Sequence, residues 1–280
     1  MIYTRIRGGL GNQLFQYSVA RNLADQLDVE LGLDIREYNS KSEFKLGLGN
    51  FNIRGDLNPV GLIKHKNNSK ILFALDVLLG KQKHVYYEPF LSYDKTVLKK
   101  VDGTYLKGYW QSEKYFCNNV KILNDLKILS LPSKKNIQIQ TEIQNCNSIS
   151  LHIRRGDYVS NNTHGTCDLS YYKKAVEYFI DLYGKDITVF AFSDDPSWVF
   201  RNLSLPVSIK FIDHNTSEYN YEDMRLMSYC NHNIIANSSF SWWSAWLNKN
   251  PEKVIIAPKL WFANKKIINE DIVPKSWIRI

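Results

Sequence analysis

Ile2-Tyr3-Thr4-Arg5-Ile6-Arg7-Gly8-Gly9-Leu10-Gly11-Asn12 opens the chain, and its reading decides the fold. Residues 2–6 alternate apolar and polar, the period of a half-buried strand, and the glycines break it. Beyond them Ala20, Leu23, Ala24 and Leu27 recur at helical spacing, so a helix is predicted over 12–27, and 29–33 reads as a second strand. Strand, glycine loop, helix and strand form the first unit of a doubly wound α/β domain. Working outward, residues 36–130 mix polar loops with helices around 70–79 and 91–100 and a strand over 104–109. Residues 134–147 are polar, rich in Gln and Asn, and read as a connector. The alternation then resumes. Strands are predicted at 149–153, 187–192, 208–212, 233–236 and 254–257, with helices at 170–182, 196–203, 221–229 and 240–247. Strands alternating with helices imply a parallel sheet with right-handed crossovers. The expected architecture is α/β, with two Rossmann-type domains, 1–133 and 148–280, facing each other across a cleft.

Composition narrows the partners. With 36 Lys+Arg against 28 Asp+Glu the chain carries +8, which favours an anionic partner: nucleic acid, a membrane surface or a phosphorylated small molecule. The Lys and Arg residues are dispersed, and no nucleic-acid-binding motif is present, so nucleic acid is not expected as a partner. No apolar run approaches the roughly 20 residues of a membrane span, and the best candidate, 71–79, contains Asp76. The start of the chain lacks a signal-peptide layout, and Cys117, Cys146, Cys167 and Cys230 form no C-x-x-C pair. A cytoplasmic location is expected, with the cysteines as isolated small hydrophobes.

Four stretches carry candidate chemistry. In Ser150-Leu151-His152-Ile153-Arg154-Arg155-Gly156-Asp157, strand alternation puts Ile149, Leu151 and Ile153 on one face and His152 and Arg154 on the other. The strand ends near Gly156, leaving Arg154 at its carboxyl end, where open parallel sheets bind ligands. A guanidinium there matches two oxygens of a diphosphate; an ion pair with Asp157 is the alternative, and the one preferred for Arg155. In Asn237-Ser238-Ser239-Phe240-Ser241-Trp242-Trp243, a strand runs into capping residues and an aromatic helix, whose free N–H groups and hydroxyls suit an anion. The tryptophans read as core. Gly8-Gly9-Leu10-Gly11-Asn12 is an incomplete dinucleotide loop, with Asp34 the one acidic residue near the next strand's end. Asp223 falls in a first helical turn, where capping competes with recognition of guanine's two adjacent donors. Asp194 and Asp195 read first as helix caps. Asp-x-Asp, H-E-x-x-H and G-x-x-x-x-G-K patterns are all missing, so no metal is expected, and cationic side chains and helix N–H groups must carry any leaving diphosphate.

Taken together, Gly8-Gly9-Leu10-Gly11-Asn12-Gln13, Gly108-Tyr109-Trp110-Gln111-Ser112-Glu113, His152-Ile153-Arg154-Arg155-Gly156-Asp157, Phe192-Ser193-Asp194-Asp195, Glu222-Asp223-Met224-Arg225-Leu226-Met227-Ser228 and Asn237-Ser238-Ser239-Phe240-Ser241-Trp242-Trp243 resemble the bacterial alpha-1,2-fucosyltransferases, in the family's order across nearly the whole chain. The resemblance implies a GT-B-like fold, GDP-L-fucose as donor, and inverting, metal-independent transfer to O2 of a terminal β-galactose, as in O-antigen synthesis. The C-terminal domain would bind the donor and the N-terminal one the acceptor. By position, Arg154 would grip the β-phosphate and His152 lie along the nucleoside. Ser238, Ser239 and Phe240 would contact the phosphates, Asp223 would read guanine, and Gly9, Gly11 and Asn12 would face the donor from the other domain. Arg154, His152 and Asn12 are the catalytic candidates. His152, Asp157 and Asp194 all have the chemistry to take the acceptor's proton. Trp110, with Gln111 and Glu113, reads either as a sugar-stacking group or as core, and His164 as facing the acceptor. A lipid-linked acceptor would put the basic chain at the anionic inner leaflet as a peripheral protein. The alternatives are a transferase for another GDP-sugar and a basic nucleic-acid-binding protein.

Overall fold

A computed structural model describes residues 1–39, 42–57, 59, 85–267 and 270–280. It divides into two compact units, Met1–Lys127 and Ile128–Ile280. The helix expected around 70–79 lies outside the described residues.

The first unit contains β1 (Ile2–Arg5), α1 (Leu10–Leu27), β2 (Leu31–Asp34), β3 (Val85–Tyr87), β4 (Tyr105–Lys107) and the short α2 (Lys121–Asp125). The four strands are parallel, in the order β2-β1-β4-β3. The order reverses between β1 and β4, so the glycine loop after β1 and the chain after β4 emerge side by side at the carboxyl edge. The three-residue β3 escaped the sequence reading because Val85-Tyr86-Tyr87 is too short for a visible period. The helix expected over 91–100 is a 3-10 turn, Lys95–Lys99, capped by Asp94.

α1 is buried almost all round, so its polar side chains must find partners. Gln13 Nε2 donates to the Gly8 and Lys45 carbonyls, and its Oε1 accepts from Gly47 N–H, tying the glycine loop and the 45–47 loop to the helix start. One turn on, Gln16 Oε1 accepts from Arg7 N–H. Arg21 bridges two carboxylates: Nη1 pairs with Asp25, and Nε donates to Asp125 at 2.9 Å. The Tyr17 hydroxyl donates to the same Asp125 oxygen at 2.8 Å.

The second unit contains α3 (Lys134–Gln144), β5 (Ser148–Ile153), α4 (Leu169–Tyr183), β6 (Thr188–Ser193), α5 (Pro196–Asn202), β7 (Ser208–Ile212), α6 (Asn220–Tyr229), β8 (His232–Ile234), α7 (Ser239–Trp246), β9 (Ile255–Ala257) and β10 (Ile278–Arg279). Its six strands are parallel, ordered β7-β6-β5-β8-β9-β10, the doubly wound arrangement with its switch point between β5 and β8. The expected connector is corrected here. Residues 134–144 form helix α3, capped by Ser133, whose Ile139 and Ile143 pack on Phe190 and Phe192 of β6. Two buried residues four apart were too little apolar signal to reveal that helix. The two-residue β10 was also unread.

Both sheet faces are covered. On one, Ile149, Leu151 and Ile153 meet Tyr172, Val176 and Phe179 of α4; on the other, Phe190 and Phe192 meet α3 and α6. The second face of β5 is polar and buried: Ser148 and Ser150 bond Asn231 and Asn233, and His152 follows them to the carboxyl end. Trp242 and Trp243 are core, as expected. Of the cysteines, Cys230 is buried, whereas Cys117 is exposed and departs from the expected hydrophobic role. Among the described residues no helix is long and apolar enough to cross a membrane.

Candidate active site

In the second unit the named side chains gather at the carboxyl edge. Arg154 follows β5 and is held on three sides. Nη2 pairs with Asp157 at 2.5 Å, Nη1 with Asp194 at 3.0 Å, and the guanidinium lies 5.2 Å from the Tyr158 ring centroid. Its Nε is buried without a protein partner among the described residues. The pairing expected for Arg155 is corrected: Asp157 goes to Arg154, while Arg155 pairs with Asp195 at 3.2 Å and lies 3.5 Å over Trp198. Asp195 also caps α5 through Trp198 N–H, so its capping role holds. Asp194 instead orders the arginine loop, accepting from Arg155 N–H at 2.8 Å. Gly156 is part of that arrangement, because a Cβ there would lie 2.5 Å from the Asp194 carboxylate and push it off Arg154.

His152 lies beneath, 4% exposed, its ring 5.5 Å from that of Phe240. Burial, aided by the Arg154 charge, pushes its pKa down to about 3, so the imidazole is neutral at physiological pH. A pKa held that low makes it a weak base for the acceptor's proton, since a proton placed there would be an uncompensated buried charge. Asp157 and Asp194 are both committed to Arg154.

Across the switch point, β8 leads into α7. Ser238 Oγ accepts from Phe240 N–H at 3.3 Å, so this serine acts as the helix cap, and the amide expected to meet a phosphate is already bonded. Ser239 is half-buried, and its hydroxyl and N–H have no partner among the described residues. Just before the cap, Asn237 Nδ2 donates to the carbonyls of His164, Gly165 and Trp261, each at 3.1 Å. It thereby fixes the loop in which His164 stacks on Tyr158 at 4.7 Å between centroids, completing a column from Arg154 through Tyr158 to His164. Sequence reasoning did not single out Tyr158, which belongs to no recognisable catalytic pattern; Asn237 was read within a helix-capping run, and the structure gives the cap to Ser238 instead.

Asp223, in the first turn of α6, is half-buried and accepts from Asn215 Nδ2 at 2.7 Å; Asn215 and His214 both bond the buried Asn136 of α3. Burial pushes Asp223 up to about 7, against the Asn215 bond and with help from the nearby Glu222. An acid whose folded pKa is raised loses stability as pH rises from its unfolded value toward the folded one. Asp223→Asn is therefore expected to raise the melting temperature at pH 8 and leave it unchanged near pH 4; thermal melts at both values check this.

In the first unit, Gly9 is the uncapped N-cap of α1, and Gly11 and Asn12 lie in its first turn. Asn12 Oδ1 accepts from Gln111 Nε2 at 2.8 Å. Asp34 at the end of β2 is structural. Although burial would raise its pKa, bonds from Arg36 and the Tyr105 hydroxyl hold it down at about 2. Trp110 is 0% exposed, packed on Tyr86 and Tyr115, so it is core and cannot stack on a sugar.

Rossmann-type units with polar side chains gathered where the strand order reverses define an α/β protein of the class whose ligands bind beyond the carboxyl ends of the strands. Comparison with known proteins makes the class specific. Residues 89–280 match Glycosyl transferase family 11. The chain is 33% identical to the O-antigen biosynthesis glycosyltransferase WbnK of Escherichia coli, over 100% of both chains. It is 32% identical to an alpha-1,2-colitosyltransferase of Escherichia coli, over 100% of this chain and 99% of that one. A mutant of Arabidopsis thaliana FUT1 in complex with GDP is 12% identical, with a TM-score of 0.50 covering 99% of this chain and 75% of that one, a likeness of fold. The chain belongs to glycosyl transferase family 11, the family of the alpha-1,2-fucosyltransferases it resembles in sequence, and is a glycosyltransferase. The GT-B-like α/β fold class expected from that resemblance is borne out.

Proposed function

We propose that the protein transfers L-fucose from GDP-L-fucose to O2 of a terminal β-galactose, with inversion and without a metal. The observation that carries this reading is the pairing of Arg154 with the open start of α7 at the β5–β8 switch point. β5 and β8 are hydrogen-bonded neighbours, with Leu151 opposite Ile234, so the two groups flank one point of the sheet edge. As the bond between the anomeric carbon and the diphosphate breaks and the acceptor O2 bonds to that carbon, the O2 proton is released to water and negative charge grows on the departing GDP. Arg154 and the Ser239 N–H and hydroxyl stabilise it, with their geometry set in advance by Asp157, Asp194, Tyr158 and the Ser238 cap. His152, neutral, supports the nucleoside beside Phe240. Gly9, Gly11 and Asn12 are the further donor contacts of this reading, through backbone and amide N–H groups.

Asp223 accepts from the two adjacent donors of guanine, which requires its ionised form. GDP affinity is therefore expected to fall as pH drops through about 7 and to lose that dependence in Asp223→Asn. Titration calorimetry with GDP at pH 6 and pH 8 measures both.

A second reading, another donor sugar on the same nucleotide, is favoured by the colitose named in the relative that is 32% identical. GDP is expected to raise the melting temperature far more than UDP or CDP at equal concentration. Transfer assays with GDP-L-fucose and with other GDP-sugars, on β-galactosides differing in the next residue, then separate the two readings. Equal protection by UDP would overturn the guanine assignment.

The +8 charge supports a cytoplasmic enzyme lying peripherally on the anionic inner leaflet and acting on a lipid-linked acceptor. Retention on sedimented membranes in low salt, released by high salt, is the expected behaviour.

A further inference from the structure

The turn that follows β4 holds an unusual backbone. Trp110 sits at φ +56°, a left-handed conformation that bulky L-residues avoid, although its ring is fully buried. Glu88 holds it there: its two carboxylate oxygens accept from Tyr109 N–H at 2.7 Å and Trp110 N–H at 2.9 Å. The reversal is tight enough that a Cβ on Gly108 would lie 2.4 Å from Glu88 Cβ and 2.7 Å from the Trp110 ring. The direction in which the chain leaves this turn matters, because the next residue is Gln111.

Gln111 Nε2 donates to Oδ1 of Asn12, 99 residues earlier in the chain. An asparagine amide has one accepting and one donating end, and its neighbours decide which end is left for a ligand. Here the accepting end is taken. Nδ2 has no acceptor among the described residues and lies 3.0 Å from where a Cβ of Gly8 would stand. Gly8, at φ +74°, leaves that space open.

We infer that Gln111 is a positioning residue: by occupying Oδ1 of Asn12 it locks that amide with its N–H groups toward a substrate oxygen, and the Glu88-clamped turn at Trp110 keeps Gln111 in place. The inference rests on the proposed contact between Asn12 and the donor, and it names what that contact recognises: an oxygen acceptor, as a diphosphate presents, rather than a donor group. Trp110, excluded from sugar stacking by its burial, gains a role as the wedge in this turn.

A double-mutant cycle tests it. Asn12→Ala is expected to lower kcat/KM for GDP-L-fucose by about 10-fold or more, the scale of a hydrogen bond to a charged group. Gln111→Met, which keeps the shape but donates nothing, is expected to lose several-fold on its own and nothing further in the Asn12→Ala background. Gln111→Glu, which can only accept, would turn the Asn12 amide over and is expected to cost more than Gln111→Met. KM for the galactoside and the melting temperature stay at wild-type values in all of these variants. Losses that multiply in the double variant would overturn the positioning role alone. An Asn12→Ala enzyme with wild-type kinetics would instead overturn the donor contact on which it rests.

Discussion

An Arg154→Ala enzyme is expected to lose about 10²- to 10³-fold in kcat, the usual cost of removing one preorganised contact to developing charge, while melting close to the wild-type temperature. The large catalytic effect follows from where the guanidinium sits and how little freedom it has. Asp157 and Asp194 take one nitrogen each, Tyr158 lies against its face, and Nε remains without a partner among the described residues. The small effect on stability follows from the same contacts, because the Asp157 and Asp194 side chains are 40% and 25% exposed and water can replace the arginine. Arg154→Lys should rescue little: a single ammonium cannot bridge two carboxylates and still present a second donor to the phosphate. Turnover of GDP-L-fucose with a β-galactoside, measured beside a thermal melt, decides the matter. Wild-type turnover in Arg154→Ala would remove the arginine from the mechanism.

In the first unit, Asp125→Ala is expected to destabilise the protein by about 3–5 kcal/mol, because removing one partner of a buried ion pair leaves the other charge uncompensated. Asp125 is 1% exposed and accepts from both Arg21 Nε and the Tyr17 hydroxyl, and the tyrosine is wholly buried. Asp25 stays on Arg21 and places the loss toward the lower end of that range. Asp125→Asn, which keeps an acceptor for Tyr17, should lose less. Urea denaturation compares the three. A loss under about 1 kcal/mol in the alanine variant, the level of an exposed pair, would mean that the cluster is solvated.

The second unit was legible almost strand by strand. Its helices carry apolar residues at helical spacing over a dozen residues, as in Tyr172, Ala175, Val176 and Phe179, and its inner strands are apolar runs bounded by polar turns. Helix α3 was not, because Ile139 and Ile143 are its only buried apolar residues and the Gln and Asn around them look like linker. β3 and β10 are too short to show a period. At the site, the placement of Arg154 followed from strand alternation and the break at Gly156. Which of the two arginines takes Asp157 did not follow, since both side chains can reach it: Arg154 pairs with Asp157 and Asp194, and Arg155 with Asp195. Ser238 and Ser239 look alike in sequence, and only the geometry of the cap shows that the first holds the helix and the second has no partner among the described residues.

Alternation of period 2 and period 3.6 is local, so the amino-acid order by itself determined the parallel α/β class and the run of elements in the second unit. It also placed Arg154 and the α7 start beyond the strand ends, because a strand's end is marked by the residues next to it. The burial of Trp110, the neutrality of His152, the raised pKa of Asp223 and the bond from Gln111 to Asn12 were decided only by tertiary structure. Each depends on desolvation or contact between segments tens of residues apart, and such contacts leave no periodic trace along the chain.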